Sequence, residues 1–306
     1  MKNVAGSCRA LIFCVLWPLL GCGSVAHAEA PRGFIYKVVA PGAESGAVLY
    51  LYGTLHLGSA AGEGLDAPTR DLIGKSSRLA IELDPRNTAA IGHALQTFGL
   101  YPVGDSLARH ISEALMARTA TRAEQLTLPE ERIEQMRPWV AANLLSVLTL
   151  AATGLDPRRG SEALLTAAAL GANVPVIEIE GADVQFKLLG GAPEATQVDA
   201  LRRTLDGLDD GRIASEAKRL ISAWQTHDAS VIEKMLIELH EEPGLFPQFM
   251  ASQLISARDA SMTDAAIAEL NLGGQTFFAV GALHLFGDDG LISQLRKRGY
   301  SVTSLN

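Results

Sequence analysis

An apolar run that breaks at glycine and at once presents a histidine occurs twice in this chain, and no other feature constrains the fold as much. The first copy is Val48 to Ser59, VLYLYGTLHLGS, and the second follows the run QTFFAV as Val280 to Gly290, VGALHLFGDDG. Each run reads as a buried strand, and the glycine ends it with an imidazole on the rim of a sheet. A single histidine after a strand is commonly a hydrogen-bonded loop residue. Two in the same setting, His56 and His284, point to two imidazoles facing one pocket.

The segments between the two copies define the rest of the sheet. Phe34 to Val39 and Val48 to Tyr52 are β-rich runs separated by the turn-like APGAESG, which predicts a hairpin or an adjacent pair. Asp66 to Ser76 reads as a helix with Asp66 as N-cap and Pro68 in its first turn. Arg78 to Leu83 is then a short strand ending in acid and stopped by Pro85, so strand, helix and strand imply a parallel crossover. Largely helical sequence follows, with helices expected over Ile91 to Leu100, Val103 to Ala120 and Pro129 to Thr153, and Ser161 as the cap of the next. Val174 to Glu180 is a third strand ending in carboxylates. Helices are expected again over Ala192 to Leu205, Arg212 to Trp224, Ser230 to His240 and Phe246 to Leu270, before the second histidine motif, a helix over Gly290 to Arg298 and a last strand. The pattern predicts an α/β fold with a mostly parallel central sheet flanked by helices. It spans 32–306 as one domain with a helical insertion at about 87–172 and 190–270.

Four strands thus end at His56, Glu82, Glu180 and His284. In an open parallel sheet the ligand lies beyond the carboxyl ends of the strands, so these side chains converge if their strands are parallel neighbours. Two histidines with one or two carboxylates suit a divalent transition metal, whose bound water becomes a nucleophile near neutral pH. Glu178, two residues before Glu180, points the same way in an extended strand, so spacing does not choose between them. His93, His110, His227 and His240 fall in helical or polar stretches and read as surface residues. The chain has no H-E-x-x-H helix, G-x-S-x-G elbow, P-loop or dinucleotide glycine motif.

Composition bounds the setting of that chemistry. The 306 residues are 48% hydrophobic and 6% aromatic, enough for a sizeable core. Lys2, Arg9, the apolar run Ala10 to Leu20 and Ala26-His27-Ala28 read as a signal peptide over 1–28, while Leu19-Leu20-Gly21-Cys22 offers a competing lipobox. Export to the periplasm or beyond is expected, with a membrane anchor only through Cys22. All three cysteines, Cys8, Cys14 and Cys22, lie in this segment, so a mature chain cleaved after Ala28 holds no disulfide and any metal there relies on His and carboxylates. Without Lys2 and Arg9, 24 basic face 34 acidic side chains, and 24 − 34 = −10 argues against nucleic acid as partner.

The GTLH and HLG residues, the IELD strand and VGALHLFGDDGLISQLRKRGYSV together resemble the TraB/GumN family, which includes the TIKI proteins and groups with erythromycin-esterase and ChaN-like proteins. Weaker matches are Met136-Arg137-Pro138-Trp139, Gly154-Leu155-Asp156, Glu180 with Gln185, Ala223-Trp224 with Asp228, and Arg258 with Met262. The resemblance implies a metal-dependent hydrolase, peptidase-like, acting on a peptide or small-molecule ester. His56 and His284 would bind Mn, Co or Zn, with Glu82 as third ligand or general base, Glu180 and Glu162 as further ligands, and Arg258 as oxyanion or carboxylate binder. Relatives also imply two alternatives: a metal-free esterase with a histidine base, and a non-catalytic binding protein for haem or another ligand. Two departures stand out. Gly160-Ser161-Glu162 replaces a Gly-x-Asp, and Arg258-Asp259 replaces an Arg-Asn, which puts a charge where the family has an amide.

Overall fold

The computed structural model describes residues 33–42, 46–59 and 64–306. The expected signal segment 1–28, with the lipobox at Cys22, lies outside the described residues.

A six-stranded, mostly parallel sheet organises the chain. Its strands are β1 (Phe34–Val39), β2 (Val48–Thr54), β4 (Arg78–Ile81), β6 (Val176–Glu178), β7 (Gln275–Gly281) and β8 (Ser301–Ser304). Two short strands, β3 (Gly58–Ser59) and β5 (Leu155–Asp156), pair separately. The spatial order is β6-β4-β7-β2-β1-β8. The expected pairing of β1 with β2 is an antiparallel one with Phe34 opposite Gly53, whereas β2, β7, β4 and β6 run parallel.

The order explains why the motif repeats. Strand β7, last but one in the chain, inserts between β2 and β4, so the two histidine motifs leave the sheet side by side, with Thr54 opposite Gly281. On the other flank Ile81 lies opposite Ala279 and Glu178. Four strand ends therefore open on one edge. Leu49, Leu51, Tyr52, Phe277, Phe278 and Val280 are fully buried, as expected of strands covered on both faces.

Helices fill the connections between β4 and β6 and between β6 and β7, and several boundaries differ from the sequence reading. The helix after β2 is Ala67–Gly74, with the Asp66 side chain accepting from Thr69 N at 2.8 Å and Pro68 in the first turn, as its sequence requires. No helix runs from Val103 to Ala120. Pro102 to Ser106 turns, Gly104 takes a φ of 92°, and the helix begins only at Glu113 behind the Ser112 cap. Pro138 splits the expected Pro129–Thr153 helix into Glu130–Glu134 and Pro138–Ala152, since a mid-helix proline costs a hydrogen bond and clashes with the preceding turn. The helix Ala182–Gly190 was not expected at all. The long helix near the C-terminus is in three parts: Leu245–Phe249, a π-helical turn Met250–Ser256 and the α-helix Ala257–Asn271. Among the described residues no helix is long and apolar enough to cross a membrane.

Candidate active site

Glu82 follows β4 directly and is buried at the common strand edge. The backbone N–H of Gly281, at the end of neighbouring β7, donates to its Oε1 at 2.6 Å. Its Oε2 accepts from Gln185 Nε2 at 3.0 Å and from Arg258 Nη2 at 2.5 Å. Glu180 meets the same cation: Nη2 lies 2.5 Å from its Oε2 and Nε 2.9 Å from its Oε1. One guanidinium thus holds two buried carboxylates, as a planar fork with five N–H groups allows.

Glu180 rather than Glu178 reaches the site because the strand ends at Glu178. Beyond it the chain bends, with the Glu180 and Gly181 N–H groups donating to Glu82 O, so alternation no longer applies. Glu178 instead accepts from the Asp84 N–H at 2.9 Å.

His284 is buried in the 3-10 turn that follows β7. Its Nδ1 lies 2.6 Å from Asp259 Oδ1 and its Nε2 lies 3.3 Å from Arg258 Nη1. A guanidinium has no acceptor, so the nitrogen facing it carries the lone pair and the ring proton sits on Nδ1, toward Asp259. Asp259 is therefore a member of the site, where the sequence showed only a charge in place of an amide. Burial pushes its carboxyl above the ordinary range, against the pull of His284 and Arg258.

His56 occupies the rim. Its side chain is 45% exposed, and Nδ1 lies 2.9 Å from Glu162 Oε1. Desolvation opposes a charge on the ring, but the Glu162 carboxylate outweighs it and raises the pKa to about 9. The loop that carries His56 is tied down by Ser161, whose N–H donates to Leu55 O and whose hydroxyl accepts from Leu55 N, at 2.9 and 2.8 Å. Ser161 is not the cap expected of it; the helix starts at this residue, with Gly160 before it. The glycines here are steric requirements. A Cβ on Gly58 would lie 1.9 Å from Arg159 O, and one on Gly160 would lie 2.6 Å from His56 O.

One pocket is lined by His56, Glu82, Gln185, Arg258, His284 and Thr54 at its polar end. The structure thus brings both motif histidines together with Glu82 and Arg258, with Glu180 clamped beneath and Glu162 behind His56. Around Glu82, burial opposes ionisation, but Arg258, His284, the Gly281 N–H and His56 together hold its pKa down at about 2.

The family description TraB/PrgY/gumN matches residues 34–304. The chain belongs to this family. A relative titled "Uncharacterized protein YbaP", from Escherichia coli (strain K12), is 26% identical over 259 residues, covering 81% of this chain and 87% of that protein, and one of the same title from Shigella flexneri matches equally. No solved structure matches. Within this family member the weaker sequence matches divide in two. Gln185 and Trp224 serve the site, since Trp224 Nε1 donates to Gly53 O at 2.7 Å and pins the first motif. Trp139 packs edge-on against Phe186, Asp228 caps a helix through Val231 N, and Met262 is core.

The fit of the site to a divalent ion is poor as arranged. The space between Glu82 and Glu180 is taken by Arg258, whose charge repels a dication and whose Nη1 faces the lone pair of His284. Among the described residues no group of three or more His, Asp or Glu side chains is disposed to hold a metal.

Proposed function

We propose that the chain is a hydrolase of carboxylic esters or peptide bonds in which His284 is the general base. The observation that carries this reading is the buried Asp259–His284 contact, which fixes the ring proton on Nδ1 and leaves the Nε2 lone pair beside Arg258, a residue that lines the same pocket. Arg258 is held by Glu82, Glu180 and Leu254 O, so it is a small turn of the His284 ring that admits a water beside Nε2; the water gives its proton to Nε2 as its oxygen attacks the carbonyl carbon. Asp259 then balances the charge of the imidazolium, and the Arg258 Nη1 group donates to the negative oxygen that develops beside it. When the carbonyl–oxygen or carbonyl–nitrogen bond breaks, His284 returns the proton to the leaving group. Glu82 and Glu180 keep Arg258 in place.

The test compares wild type and His284→Ala on nitrophenyl esters and fluorogenic peptides. A loss of about 10²- to 10⁴-fold in kcat is expected for a positioned general base; equal rates would sink the reading. A haem absorption band with no turnover of any substrate would assign the pocket to binding instead.

A divalent ion held by His56, His284 and Glu82 is the second reading, supported by their meeting in one pocket. It requires Arg258 to release both carboxylates, so no step is drawn through it. Activity abolished by chelation and restored by Mn²⁺, Co²⁺ or Zn²⁺ would favour it over the histidine base. Export belongs to the same proposal, and mass spectrometry of the mature N-terminus would separate cleavage after Ala28 from lipidation at Cys22.

A further inference from the structure

The polar end of the pocket is only part of its lining. Its other wall is apolar and comes from four separate stretches: Leu57 in the first motif, Ala217, Leu220 and Ile221 on the helix Arg212–Gln225, Ile255 on the π-helical turn, and Leu283 in the second motif. Ala217, Leu220 and Ile221 stand at i, i+3 and i+4, on one face of their helix. The same stripe continues to Ile213, packed beneath with Leu57 and Val147, and to Trp224, bonded to Gly53 O. The wall is therefore anchored at both ends. Leu220, Ile221 and Leu283 pack against the core on one side and line the cavity on the other, which leaves them only half-buried.

Water against such a wall gains nothing from it, and an apolar group that displaces the water gains the area it covers. The charged floor and the apolar wall lie within one pocket, so a molecule that uses both carries its carbonyl next to an aliphatic or aromatic group. We infer that the substrates are esters or amides of apolar carboxylic acids, with the acyl chain laid along Leu220, Ile221, Ile255 and Leu283 and the carbonyl at His284 and Arg258. This inference rests on the hydrolase reading for its reaction, but not for its binding geometry.

Two measurements on the full chain separate them. In the first, nitrophenyl acetate, butyrate and octanoate are compared by kcat/KM. The octanoate ester is expected to exceed the acetate by at least about tenfold, the effect of roughly two buried methylenes, with the gain in KM. Leu220→Ser should narrow that ratio, and Ile221→Ser serves as the second variant if the first does not fold. In the second, octanoate and acetate are titrated into the protein by calorimetry, which needs no turnover. Tighter binding of octanoate, weakened in either variant, is expected. Hydrolysis without chain-length preference would overturn this inference and leave the hydrolase reading standing. Octanoate binding without hydrolysis of any ester would do the reverse. Equal, undetectable binding of both acids would also overturn it.

Discussion

The Nδ1 atom of His284 lies 2.6 Å from Oδ1 of Asp259, and both side chains are buried. The carboxylate sets the ring's tautomer and is the nearest negative charge to an imidazolium formed there. Asp259→Asn keeps the shape and removes the charge, and its amide group can also turn a donor toward Nδ1, which would select the wrong tautomer. The expected result is a fall in kcat on the order of 10²- to 10⁴-fold with little change in KM, read from steady-state ester hydrolysis. An unchanged kcat would reduce Asp259 to a packing residue.

Arg258 satisfies two buried carboxylates at once, so its removal leaves both without their cation. Arg258→Met should cost about 3–5 kcal/mol, the penalty for stranding a buried charge, measured by urea unfolding. Arg258→Lys should recover only part of this, because an ammonium lacks the fork that reaches Glu82 and Glu180 together. A methionine variant as stable as wild type would contradict the clamp.

Glu82 makes the stability depend on acid. Burial alone would raise its pKa, but Arg258, His284 and the Gly281 N–H hold it at about 2, against an ordinary value of 4.5. A group depressed in the folded state adds stability that is present above its unfolded pKa and is lost as pH falls through the folded one. The unfolding free energy should therefore drop between about pH 4.5 and 2, and Glu82→Gln should flatten that limb. Glu162, shifted in the same direction against its own burial by His56 and Thr54, leaves some slope behind. A limb identical in wild type and variant would argue against the pairing.

His56 carries the opposite sign. Its pKa, raised to about 9 by Glu162 in spite of desolvation, means that the contact favours the folded state below the ordinary imidazole value and ceases to do so as pH climbs through 9. Solvent screens the half-exposed ring, so the effect on stability is small. NMR of the ring protons is the sharper measurement. The His56 titration should sit above the ordinary imidazole value of 6.5 and move down in Glu162→Gln; an unshifted titration in wild type would remove Glu162 from its account.

The repeated motif made the strand edge legible because a glycine, a histidine and an apolar run fix both the end of a strand and what stands there. It could not say that β7 lies between β2 and β4, which follows from long-range pairing. Glu82 was readable as a strand-end acid, but the choice between Glu178 and Glu180 hung on a bend that alternation does not encode. Asp259 was visible only as a departure from the family, with no role attached, since its partner His284 is 25 residues away in the chain. Ser161 looked like a helix cap because serine usually is one before an apolar run; its tie to Leu55 is a tertiary contact with no local mark. The helix Ala182–Gly190, which carries Gln185, was missed for want of a capping side chain at Gly181.

The π-helical turn Met250–Ser256 sets the phase of everything after it. Residues of a π-helical stretch advance by less per step than the about 100° of an ordinary helix, so the direction in which Arg258 and Asp259 leave the axis depends on Met250–Ser256 keeping its wider winding. The cation between Glu82 and Glu180 and the partner of His284 are thus aimed by one short piece of backbone.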